Sequence, residues 1–277
     1  MRLYLRKVGI IQIPAKKFRI EEVILPSVAN DQHSHQIDDK TIGVIGRTLI
    51  TRVGYTWIPI TQLALWGIFT RSASRRKPDN SRPQWSREGF MKMAVVLGSE
   101  WCHNLAHLLA SNWIGKPMDK MRIQAGMPRC IYHEINDPNV SPRQHIIRSL
   151  GGPVISSLLL PVTKVARTMT KTDSIAGETA KTAYQTNLFL SLISLLPIPG
   201  IDGGPILKWS LVERGKTIEE ADRIVQKVNG PLAVLLGLFS SWAFLTRKML
   251  LGFFSLMLGV TSLSIFTGWL KEEDVSI

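Results

Sequence analysis

Two histidines four residues apart, His103 and His107, stand in an otherwise apolar stretch, Leu-Gly-Ser-Glu-Trp-Cys-His-Asn-Leu-Ala-His-Leu-Leu-Ala at residues 97–110. On a helix this spacing stacks both imidazoles on one face, where both can reach a single ion. Glu100 lies one turn before His103 and roughly shares that face. The plain alternative is a histidine pair hydrogen-bonded to a neighbouring helix, and the spacing alone does not choose. A second segment, Ser194-Leu-Leu-Pro-Ile-Pro-Gly-Ile-Asp-Gly-Gly204, ends an apolar stretch with Pro197, Pro199, Gly200, Gly203 and Gly204 around one acid, Asp202. Its prolines and glycines break a helix. Broken backbone at membrane depth survives only where it lines a buried or watered cavity. Asp202 would then be available as a third ligand; at a plain helix end it would be a solvated carboxylate.

The elements that must position these groups are legible from where charge is missing. The chain has 277 residues, 45% of them hydrophobic, with 34 Lys or Arg against 21 Asp or Glu and a net charge of +13. Mean hydropathy is nevertheless slightly positive, at +0.08. A disordered chain is excluded by the apolar content, and a disulfide-stapled domain by having only Cys102 and Cys130. Charge and apolar residues are segregated. Residues 229–246 and 249–270 are uncharged and separated only by Arg247 and Lys248. Residues 53–70 and 182–201 are likewise uncharged, 94–114 carry one acid, and 149–163 form a shorter run. About 20 apolar residues cross a bilayer as a helix, so these runs predict an all-α polytopic membrane protein of about six transmembrane helices. Residues 1–42 are a polar N-terminal segment, without a signal-peptide pattern; residues 43–277 form the transmembrane domain. The basic surplus, including the loop at 71–77, suits anionic lipid headgroups, and no nucleic-acid-binding motif accompanies it. Residues 217–230 predict an amphipathic surface helix, opened by a Thr217/Glu220 capping box and ended by Asn229-Gly230.

Together, His103-x3-His107 on one span and Leu196-Pro-Ile-Pro-Gly-Ile-Asp-Gly on a later one resemble the site-2 proteases, a family of intramembrane zinc metalloproteases. In that family two histidines of an HExxH helix and the Asp of an LDG motif, within an NxxPxPxLDG segment, hold the zinc. The resemblance implies zinc on His103, His107 and Asp202. Gly152-Pro153 with Ser156 stands where the family has a GPxxN helix. Ser141-Pro-Arg-Gln-His145 and the helix at 217–230 also fit, so the resemblance covers residues 45–270. It implies the lipid bilayer as surroundings and, as partner, a membrane-anchored protein whose transmembrane segment enters the site.

The match departs at the catalytic position. The family's general base directly follows the first histidine, and here that residue is Asn104. An amide orients water but cannot take its proton, a step commonly worth about 10²–10⁴-fold. Ser194 and Ser156 stand in place of two family asparagines that support substrate or local backbone. The expectation is therefore a metal-binding, proteolytically inactive or weak relative that binds membrane-anchored proteins. The alternative is an active endopeptidase with an unusual base, and a third reading is a channel or carrier in which His103 and Glu100 relay protons. Glu100 is read as a fourth ligand, as a displaced base, or as an acid held protonated or hydrogen-bonded to a neighbouring span. Helix geometry sets Asn104 about 100° round from His103 and Glu100 about 60° round on the other side, against the base role. Cys102 is read as packing, and His133, Glu134 and His145 as solvated loop residues.

Overall fold

The computed structural model describes residues 39–53 and 59–271. The expected N-terminal segment lies almost wholly outside them. Among the described residues the fold is mostly helical, with two strands, two helices, two strands and five helices in order.

A four-stranded sheet corrects the all-α expectation. Strands β1 (Asp39–Ile45) and β2 (Thr48–Val53) form an antiparallel hairpin, as do β3 (Lys120–Gln124) and β4 (Met127–Ile131). β2 pairs with β3 in parallel, and that crossover contains the first two helices. Both residues of the β3–β4 turn, Ala125 and Gly126, have positive φ, the backbone of a tight hairpin turn. Short alternating strands separated by long apolar helices carry too little periodicity to stand out from the sequence, and Val53 closes β2 instead of opening a span.

Helix α1 (Ile60–Arg76) runs through most of the basic stretch expected as a loop. Its last turn tolerates that charge because acids meet it. The Arg76 guanidinium contacts both Glu88 and Glu178. Lys92 Nζ lies 3.1 Å from Glu88 and 2.8 Å from Glu178, and Lys77 Nζ lies 3.4 Å from Glu88. This buried network ties α1 to α2 (Arg82–Trp113) and α4 (Ile175–Leu192).

α2 is the central helix, packed on α1, on α3 (Pro142–Thr168) and on α4. One of its faces, Trp101, Leu105 and Leu108, packs on Met118 and Met121 beside the sheet. His103 and His107 lie on roughly the opposite face and are buried. α3 contains the run at 149–163 and extends beyond it at both ends, starting from a Ser141/Gln144 capping box.

α5 (Gly203–Glu213) follows the broken segment, and α6 (Ile218–Leu245) follows the Thr217/Glu220 capping box. α6 does not stop at Asn229-Gly230. It continues through Pro231 as a single helix, because Asn229 is buried and its amide donates to the Val225 and Pro197 carbonyls. α7 (Met249–Phe266) packs along α6. Among the described residues two helices, α3 and α6, are long and apolar enough to cross a membrane, and a shorter apolar one runs Leu251–Phe266. The outward side chains of α6 and α7 include Leu235, Leu238, Trp242, Phe253 and Val260.

Candidate metal centre

Three elements converge on one point. α2 supplies His103 and His107. α3 crosses it so closely that a Cβ on Gly151 would lie 2.7 Å from the Ala106 carbonyl oxygen. The third element is the broken segment after α4. A 3₁₀ turn at Ile193–Leu195 leads into non-helical backbone through Pro197 and Pro199, and Gly200 takes φ +88° before α5 opens. Gly203 is confined there, since a Cβ would meet the Leu195 and Leu196 carbonyls at 2.2 Å. Asn229, reaching across from α6 to the Pro197 carbonyl at 2.8 Å, fixes the segment from behind. Ser194 is buried and its hydroxyl donates to the Leu190 carbonyl, closing the end of α4.

The result brings Asp202 to both histidines. Its Oδ2 lies 3.2 Å from His103 Nε2 and its Oδ1 lies 3.1 Å from His107 Nε2, with the two Nε2 atoms 3.2 Å apart. His107 Nδ1 lies 2.7 Å from the Arg148 carbonyl and 3.3 Å from the Gly152 backbone N. His103 Nδ1 is held 3.0 Å from the Ser156 hydroxyl. With both Nδ1 atoms so occupied, both Nε2 atoms are turned toward the Asp202 carboxylate, an arrangement that suits a shared cation. A tetrahedral ion with bonds of about 2.0–2.2 Å sets its ligand atoms roughly 3.3 Å apart, matching these separations. Gly152 completes the cradle: a Cβ there would press on both rings, 2.3 Å from His107 Nε2 and 2.4 Å from His103 Nε2. His103, His107 and Asp202 form the group that can hold a metal among the described residues.

Glu100 is not in that group. It is beside Asn104, whose Nδ2 donates to the Glu100 carbonyl at 3.0 Å and to Glu100 Oε2 at 3.3 Å. This corrects the expected helix geometry. Three positions back is a rotation of −300°, which equals +60°, on the same side of His103 as Asn104 at +100°. The other end of the Asn104 amide, Oδ1, lies 3.5 Å from Cys130 Sγ on β4.

Other expected residues fall elsewhere. Pro153 is buried inside α3 beside Gly152. Cys102 is exposed on the outer face of α2 and packs into nothing central. His133 and Glu134 are exposed. His145, expected in solvent, is buried in the first turn of α3 and stacks on Trp209 with ring centroids 3.8 Å apart; α5 covers it, which the local sequence does not show. Sequence reasoning missed the Ser156 contact to His103, the Arg148 carbonyl, and the roles of Asn229 and Cys130. Only Asn229, polar and adjoining a long apolar run, carries a signal that could have found it.

The chain is similar in fold to a solved site-2 protease from Methanocaldococcus jannaschii, with a TM-score of 0.52 and 16% identity over 82% of this chain and 95% of that one. No protein-family model and no curated protein matches it.

Proposed function

We propose that this site-2-protease-like chain is a multi-pass membrane protein. Its His103, His107 and Asp202 bind zinc, and it receives the transmembrane segment of a membrane-anchored protein with weak or no peptide hydrolysis. The observation that carries this reading is the three-ligand cradle with an amide, Asn104, beside it. The nitrogen and oxygen donors and the matching separations suit zinc. The two apolar helices and the apolar outer surface of α6 and α7 support a lipid environment. A metal held here supplies Lewis acidity and an acidified water. The chain's own contribution is positional. Arg148 and Ser156 fix the imidazoles, Asn229 fixes the segment carrying Asp202, and Asn104, an amide, accepts no proton from a water.

The test pairs metal analysis with cleavage of a reporter transmembrane substrate in detergent micelles. The native chain is expected to bind one zinc and to cleave slowly or not at all, and Asn104→Glu to cleave about 10²–10⁴-fold faster. A native chain without bound zinc at neutral pH defeats the reading and leaves the proton-relay alternative. Native cleavage as fast as that of Asn104→Glu defeats the assignment of low activity.

A further inference from the structure

We infer that Glu100 is the proton acceptor for whatever peptide hydrolysis this site performs, a carboxylate displaced by one helical turn from the position after His103. The inference rests on the metal-site reading above and deepens it.

Two independent observations carry it. The first is placement. Asn104 Nδ2 and Glu100 Oε2 are 3.3 Å apart. A glutamate at 104 would extend its carboxylate one bond further than the asparagine amide, by roughly 1.5 Å, and the Glu100 carboxylate lies beside that amide. The second is access. α1 and α4 flank α2 without packing tightly on each other, and between them lies a cavity of about 550 Å³. Lys92, Val96 and Glu100, spaced i, i+4, i+8 along α2, line it from one side, and Thr182 and Thr186 of α4 from another. Of the polar groups around the metal centre, Glu100 is the one that lines this cavity. A carboxylate among apolar helices is costly unless it has a role, and here it lines that cavity one turn before His103.

The step balances with water alone. As the water oxygen bonds to the scissile carbonyl carbon, one of its O–H bonds breaks and the proton passes to the Glu100 carboxylate. As the C–N bond breaks, Glu100 returns that proton to the departing amine nitrogen. Asn104 acts as a positioning residue, its amide N–H holding the acceptor oxygen in place.

The experiment compares the native chain with Glu100→Gln, which keeps shape and removes the acceptor, and with the Glu100→Gln/Asn104→Glu double variant. The readouts are reporter-substrate cleavage, zinc content, and the visible spectrum of the cobalt-loaded protein. Slow native cleavage is expected to fall about tenfold or more in Glu100→Gln, with zinc content and cobalt spectrum unchanged, and to recover in the double variant. Cleavage by Glu100→Gln at the native rate overturns the inference. A changed cobalt spectrum also overturns it, because that would make Glu100 a ligand. A native chain that binds zinc but cleaves nothing overturns it while leaving the metal-site reading intact, whereas absence of zinc removes both.

Discussion

Gly152 is the residue through which the metal site can be destroyed without touching a ligand. In Gly152→Ala the new methyl would stand 2.3 and 2.4 Å from the two Nε2 atoms, about an ångström inside ordinary contact at 3.4 Å. If the rings stay in place, the methyl crowds both nitrogens that an ion would bond at about 2.0–2.1 Å. If they retreat, they leave their anchors, the Arg148 carbonyl at 2.7 Å and the Ser156 hydroxyl at 3.0 Å. Each abandoned buried partner costs about 1–3 kcal/mol. The two together are worth about 2–6 kcal/mol, a loss of about 30-fold to 10⁴-fold in affinity. Zinc affinity is measured by competition with a chromophoric chelator, with circular dichroism confirming the helices. Gly237→Ala serves as control, since a Cβ there meets nothing within 4 Å. Retention of zinc by Gly152→Ala within about threefold of native affinity, with intact helices, refutes the placement of the ion between α2 and α3.

Ser156→Ala removes the hydroxyl beside His103 Nδ1 and leaves His107 anchored to a backbone carbonyl that no side-chain change removes. Zinc affinity is expected to fall about 10–100-fold in the same competition assay, and an unchanged value would show that the hydroxyl does not orient the ring. The ion network gives a pH signature. Burial opposes the charge on Glu88 and Glu178, but Lys92 and Arg76, joined at Glu88 by Lys77, outweigh it and hold both carboxyls below their ordinary value of 4.5. A carboxyl held low contributes stability that is complete above its unfolded value and lost as pH falls through the lower folded one. Glu88→Gln removes one of the two acids while Glu178 still pairs Lys92 and Arg76, at a cost of about 1–3 kcal/mol, so it should lower the thermal midpoint at pH 7. The gap from the native chain should close progressively below pH 4.5, and a gap independent of pH would contradict the network's role.

How far the sequence reaches depends on whether an interaction leaves a local trace. The ligands were legible because histidines at i, i+4 and an acid among prolines and glycines are costly in apolar stretches, and the structure draws them together. The helical runs were legible for the same reason, as absences of charge. What stayed hidden was long-range. The sheet is assembled from strands 5–7 residues long, with a parallel pair closed across two helices. The basic end of α1 reads as a loop until Glu88 and Glu178 arrive from α2 and α4 to neutralise it. Asn229 reads as a helix stop because its partner, the Pro197 carbonyl, is 32 residues away in the chain.

Glu100 is a different case, because the information needed was local and a sign decided it. Counted by the short way round the helix, Glu100 and Asn104 are 40° apart on one side of His103, and the amide bridges them at 3.3 Å. With the sign reversed, the acid looks remote from the position after His103 and the missing base looks like a simple deletion. With the sign correct, the same two residues form a pair in which an amide directly follows His103 and a carboxylate lies immediately behind it. The amide at 104 and the half-buried acid one turn away are then one feature of the helix. Moving the carboxylate between positions 100 and 104 is the perturbation that separates them.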